Sequence, residues 1–205
     1  MKNIKKGVLN FSNENFQNKK ELFQNLKNKQ DPHTLFISCC DSRIIPTLIT
    51  NTNPGDLFVV RNIANIVPPY TKCDKFLDTT SAIEYALNFL NIKNIVICGH
   101  SNCGGCEAIY KEYDLSQMPN VKKWLKLLKP IKDKVLNESI DKDQRSSLSE
   151  KLNLLNSFNN LLKYPKIEHL LSENKIEIHL WYYIIENGEI YEYNFDFKDF
   201  VLIKE

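Results

Sequence analysis

Glycine and proline are scarce, six and eight in 205 residues, and neither sign of charge dominates, with 27 Lys and Arg against 25 Asp and Glu. So few turn-forming residues exclude a collagen-like or low-complexity chain, and an apolar fraction of 42% suits one compact domain over 1–205. The near balance of charge gives no reason to expect nucleic acid or an anionic membrane as partner. Apolar runs are strand-sized, far short of the roughly 20 residues of a membrane-crossing helix. The basic start Met1-Lys2-Asn3-Ile4-Lys5-Lys6 gives way to Asn10 and Ser12 before a signal-peptide core develops, so a soluble, cytoplasmic protein is expected. Neither an internal repeat nor an interdomain linker is visible.

What the chain does have is six cysteines. In a cytoplasmic chain of this length they read as metal ligands, reactive thiols or small buried residues rather than as a disulfide framework. Cys73 lies in a polar stretch without a motif and stays unassigned.

Residues 1–30 carry apolar residues at helical spacing, Phe11, Phe16, Leu22, Phe23 and Leu26, which predicts a helical arm broken by Asp31-Pro32. Within 31–110, Thr34 to Ser38, Leu57 to Arg61 and Asn94 to Cys98 read as buried strands, with a helix over Thr79 to Leu90. Strand, helix, strand is the unit of a parallel sheet, whose ligand sites gather at the carboxyl ends of the strands. Residues 111–174 are mostly helical, with packing stripes at Val121, Trp124, Leu125 and Leu128 and at Leu148, Leu152, Leu155 and Phe158. From 175 to 205 a β-rich run turns at Asn187-Gly188 into a hairpin. The expected fold is α/β: a mostly parallel central sheet flanked by helices, with an N-terminal helical arm and a C-terminal hairpin.

The segment Cys98-Gly99-His100-Ser101-Asn102-Cys103-Gly104-Gly105-Cys106 packs thiols and an imidazole around a glycine-rich strand-to-helix turn. Thiolate and imidazole are the usual donors to zinc. Sheet topology can bring Cys39, at the end of the first strand, beside His100. Cys39, His100 and Cys103 would then leave a fourth tetrahedral position for water, the arrangement of a catalytic zinc. Cys40, Asp41 or Cys106 could instead close the site. Alternation along a continuing strand makes Cys40 a packed residue, and the end of an apolar strand makes Cys98 a buried one. Cys103-Gly104-Gly105-Cys106 is also formally a Cys-x-x-Cys, for which a redox dithiol is the competing reading.

Asp41 and Arg43, two apart in a short turn, can form a bidentate ion pair that holds Asp41 ionised and able to take a proton from a metal-bound water. His33, His169 and His179 are not placed by sequence for such a role and read as structural or exposed.

Together, Cys39-Cys40-Asp41-Ser42-Arg43 and Gly99-His100-Ser101-Asn102-Cys103-Gly104-Gly105 resemble the Cys-x-Asp-Ser-Arg and Gly-His-x-x-Cys-Gly-Gly motifs of the β-carbonic anhydrases. The likeness runs from about Gln30 to Ala108, includes Phe58 to Asn65, and returns more weakly near His179 to Gly188. It implies reversible hydration of carbon dioxide to bicarbonate and a proton, by zinc-bound hydroxide with an Asp41/Arg43 dyad, and one Zn2+ per subunit on Cys39, His100 and Cys103. Gln30, nine residues before Cys39, falls where plant-type members bind substrate, and Phe36 falls where bicarbonate-regulated members carry tryptophan. The resemblance therefore implies a plant-type pocket. By the same likeness Gln30, Phe58 and Tyr85 reach the zinc of a neighbouring subunit, while Ile63 and the Gly104 N–H serve their own. The implied assembly is a homodimer, or a dimer of dimers, with shared active sites. Whether Asp41 stays off the metal or occupies its fourth position is left open.

Overall fold

The computed structural model describes residues 2–71, 77–111, 113–138 and 140–204. Cys73 lies outside them. The arm is helical through α1 (Lys2–Asn10), a π-helical turn (Phe11–Asn15), α2 (Phe16–Asn18) and α3 (Lys20–Leu26). Phe16 and Phe23 stack at 5.2 Å between ring centroids, and Phe11 meets both edge-on. Ile4, Val8 and Leu9 remain exposed.

Then follow β1 (Thr34–Cys39), α4 (Pro46–Ile49), β2 (Leu57–Asn62), α5 (Leu77–Phe89) and β3 (Asn94–His100). Next come α6 (Gly104–Glu107), α7 (Pro119–Leu125), α8 (Lys129–Asn137), α9 (Lys142–Leu161) and α10 (Pro165–Ser172). The chain ends in β4 (Glu177–Tyr183), β5 (Ile190–Asn194) and β6 (Asp199–Leu202). Among the described residues, no helix is long and apolar enough to cross a membrane.

One sheet of order β2-β1-β3-β4-β5-β6 runs through the molecule. Its first four strands are parallel, and β5 and β6 return antiparallel. The sheet is therefore mixed, and the expected hairpin gains β6, in which Phe200 pairs with Tyr193. All six residues of β1 are buried, as a central strand covered on both faces requires. Leu35, Ile37, Ile95 and Ile97 pack on one face against α5, α9 and α10, while Phe36, Val96 and Cys98 meet Trp181 and Tyr183 on the other.

The longest helix, α9, starts from an Asp141/Gln144 capping box, in which each side chain bonds the other's backbone amide. Its apolar stripe packs as expected, and beside the fully buried Leu154 and Leu161 it also buries a polar row, Ser149, Glu150, Asn153, Ser157 and Asn160. Ser149 bonds the Ser146 carbonyl within the helix, while Glu150, Asn153, Ser157 and Asn160 hydrogen-bond to the segments that follow β2 and β3.

Candidate metal centre

Because β1 and β3 are parallel neighbours with Ser38 opposite Cys98, their carboxyl ends bring Cys39 beside His100. Beyond His100 the chain turns through Ser101 and Asn102, the latter at φ 55°, and Cys103 leads into α6. The donor atoms of Cys39, His100 and Cys103 all lie within 4.8 Å of one another, and the two sulfurs are 4.0 Å apart. All three residues are buried.

His100 Nδ1 is 2.9 Å from the Ser101 carbonyl oxygen, which can only accept, so in the neutral ring Nδ1 carries the proton and Nε2 is the nitrogen with the lone pair. Nε2 is buried and has no hydrogen-bond partner among the described residues. The Cys103 thiol beside it, then burial, push the Cys39 thiol up to about 12. The neighbouring Cys106 thiol, together with burial, raises the Cys103 thiol as well. An orphaned imidazole nitrogen facing two crowded sulfurs is an environment that a thiophilic divalent cation satisfies, so the three residues fit a metal.

Asp41 follows in the turn after β1. Arg43 Nε and Nη2 donate to its Oδ1 and Oδ2 at 2.9 and 2.8 Å, and hold its carboxyl well below the usual carboxylate range. Oδ2 is 4.0 Å from His100 Nε2. Cys40 is exposed, contrary to the expectation that it is packed. The strand stops at Cys39, so alternation no longer applies, and Cys40 opens onto a cleft bounded by Arg61, Ile63, Leu77 and Trp124. Cys98 is buried, as expected, and Cys106 is buried behind Cys103. His33 and His169 are exposed, and His179 bonds Glu192 at 2.6 Å.

Several further side chains support the site without a local sequence motif to mark them. Arg61 donates to the carbonyls of Cys39 (3.0 Å) and Asp41 (2.7 Å), bracing the turn between ligand and acid. Glu150, buried in α9, accepts from the Cys103 amide at 2.8 Å, from Tyr182 and from Ser146, and burial raises its carboxyl. Glu186 accepts from Ser101 Oγ and Asn102 Nδ2. An arginine interrupting the apolar run of β2 was the one sequence signal available among these.

Of the expected pocket residues, Ile63 stands beside α6: a Cβ on Gly105 would lie 2.9 Å from Ile63 Cγ2 and from Ala64 Cβ, so only glycine fits there. Gly104 has open space around it. Phe58 pairs with Leu35, four residues before Cys39 and roughly 13 Å along the strand. It stacks on Tyr85 at 5.9 Å, and Gln30 is exposed at the end of the arm. One chain thus does not bring Phe58 to its own donors.

A parallel sheet holding a Cys/His/Cys group and an Asp/Arg pair at its strand ends defines the class, and the comparisons agree. Residues 34–190 match the family model described as carbonic anhydrase. A carbonic anhydrase of Helicobacter pylori strain J99 is 43% identical, over 97% of this chain and 93% of its own length. The structure of the beta-carbonic anhydrase CcaA superposes with a TM-score of 0.93 at 36% identity, covering 100% of this chain and 92% of that one. A tetrameric beta-carbonic anhydrase of Sordaria macrospora superposes at 0.74 and 33% identity, over 93% and 92% of the two chains. The chain belongs to the β-class carbonic anhydrases. Its activity is the hydration of carbon dioxide.

Proposed function

We propose that the metal is zinc, one per subunit, held by Cys39, His100 and Cys103, and that Asp41 and Arg43 form the catalytic dyad. The observation that carries this is the Arg43 fork on Asp41 beside an unpartnered His100 Nε2. Zinc, when bound, supplies a Lewis acid that brings the ionisation of water toward neutral pH, less strongly with two thiolates than with three histidines. Asp41, kept ionised by Arg43, accepts a hydrogen bond from the attacking water at Oδ2 and orients it. Arg43 keeps Asp41 occupied and so favours a site with the aspartate off the metal.

Carbon dioxide rests against Ile63, and the Gly104 N–H donates to an oxygen of the forming bicarbonate. Gln30, Phe58 and Tyr85 complete the pocket from a second copy, in the plant-type manner that Gln30 and Phe36 favour. Support comes from an uncovered aromatic row: Phe58, Tyr85 and Phe89 stack in series beside the edge strand β2, with Tyr85 43% and Phe89 78% exposed. A homodimer, or a dimer of dimers like the tetrameric Sordaria relative, would bury it. The chain acts as one domain over 1–205, with 1–30 as the clasping arm, in the cytoplasm.

Stopped-flow carbon dioxide hydration, with metal content measured in parallel, tests this on wild type and Asp41→Asn. The variant should retain zinc and lose hydration by about 10²-fold or more. Full activity would remove the dyad from the mechanism, and a wild type without zinc would remove the metal assignment.

A further inference from the structure

The turn carrying Ile63 is strained and is held from far along the chain. Ala64 and Asn65 sit at φ 63° and 44°, left-handed values that asparagine tolerates but that an alanine rarely adopts. Both are buried. Such a conformation persists only where surrounding bonds over-determine it. Asn153 Nδ2 donates to the Ala64 carbonyl at 2.6 Å, and Trp124 Nε1 donates to the Ile63 carbonyl at 2.9 Å. Further round, Ser157 Oγ accepts from Val67 N at 3.1 Å and Asn160 Nδ2 donates to the Val67 carbonyl at 2.9 Å.

Asn62 closes the same turn locally, its Oδ1 accepting from Ile66 N at 2.8 Å and its Nδ2 donating to the Ile66 carbonyl at 2.9 Å, but Asn153 and Trp124 differ from the other supports in what they hold. Asn160 fixes the chain beyond the turn, and Ser157 spans its exit, with Oγ donating to the Asn65 carbonyl at 3.4 Å as well as accepting from Val67 N. Trp124 and Asn153 fix the carbonyls of Ile63 and Ala64, the two residues pressed against Gly105 at the start of the helix that follows Cys103. The Asn153 amide nitrogen also lies 3.7 Å from Cys106 Sγ, so one fully buried side chain bridges the Ile63 turn and that helix. Its Oδ1 is buried without a partner among the described residues, which marks the side chain as one kept for its donor.

We propose that Asn153 and Trp124 are positioning residues for the reaction, setting the stand-off of the Ile63 side chain from the metal donors through the Ile63 and Ala64 carbonyls. This rests on Ile63 being part of the carbon dioxide wall. Neither residue touches substrate or metal. Their effect is on uniform binding of a small apolar substrate, so it reads out in KM rather than in kcat.

Trp124→Phe removes the indole N–H together with part of a partly buried ring, keeps an aromatic side chain in place and leaves the fold standing. It should raise KM about threefold or more with kcat within about twofold, and keep a full complement of metal. Asn153→Leu should move KM the same way and also lower the melting temperature. Asn160→Leu should lower the melting temperature with KM unchanged. Combined with Ile63→Ala, Trp124→Phe should add nothing to the effect of Ile63→Ala alone. Additive effects in that double variant, an unchanged KM or lost metal in Trp124→Phe, or an equal KM rise in Asn160→Leu would each overturn the positioning role. If Ile63→Ala itself keeps the wild-type KM, the wall fails and the positioning role fails with it. If Ile63→Ala raises KM and the double variant is additive, the wall stands and only the positioning role falls.

Discussion

Arg43 binds Asp41 at both carboxylate oxygens while its own amide donates to Oδ1 at 3.0 Å, so one arginine supplies three hydrogen bonds to one acid. The same Nη2 also reaches the Asn102 carbonyl at 3.1 Å, which ties the turn after β1 to the turn after β3. A planar fork is needed to do both, and the point charge of a lysine cannot reproduce it. Arg43→Lys should therefore keep fold and metal yet lower kcat/KM for hydration by roughly 10²-fold. A stopped-flow loss of less than about twofold would show that the fork does not matter to the chemistry.

Gly105 is the tightest approach between the ligand helix and the Ile63 turn. An added methyl at 2.9 Å from Ala64 Cβ and Ile63 Cγ2, and 3.3 Å from the Ala64 backbone nitrogen, meets no flexible chain end that could swing aside. Gly105→Ala should cost about 1–3 kcal/mol, a drop in melting temperature of about 3–10 °C by calorimetry. Gly104→Ala, with open space around it, is the control. Equal melting temperatures for the two variants would mean that the turn yields freely.

Glu186 gives a pH dependence with a defined sign. Its carboxylate is exposed and accepts from Ser101 Oγ and Asn102 Nδ2, and the Ser101 bond leads in holding its carboxyl below the ordinary range. A depressed folded-state value means that the stabilisation is complete above the unfolded value, about 4.3, and is lost as pH falls through the lower folded one. Wild type should accordingly exceed Glu186→Gln in stability by a constant margin above about pH 6, and that margin should shrink in acid. Denaturant titrations at several pH values measure it, and a margin that grows toward low pH would contradict the assignment.

The strands that frame the donors are legible in sequence because Leu35-Phe36-Ile37 and Ile95-Val96-Ile97 are short β-branched and apolar runs flanked by breakers. Cys39 and His100 follow from where those runs stop, and Asn187-Gly188 marks the turn after β4. Cys40 was misread because alternation holds only while a strand lasts. The supports of the site are another matter. Periodicity marks Leu148, Leu152, Leu155 and Phe158, yet beside Leu154 and Leu161 α9 also buries a polar row, Glu150, Asn153, Ser157 and Asn160, and a polar row on a helix ordinarily faces water. Its burial is compensated by partners 47 to 93 residues away in sequence, which no local pattern encodes.

That long reach also fixes when the site can exist. All three donors lie within the first 103 residues, but the Cys103 amide rests on Glu150, and Asn102 rests on Glu186, 84 positions later. On a ribosome adding about 5–20 residues per second, the thiols and the imidazole emerge about 4–17 s before their last support is made. A metal held by Cys39, His100 and Cys103 would thus meet its full set of supports only after Glu186 has been made.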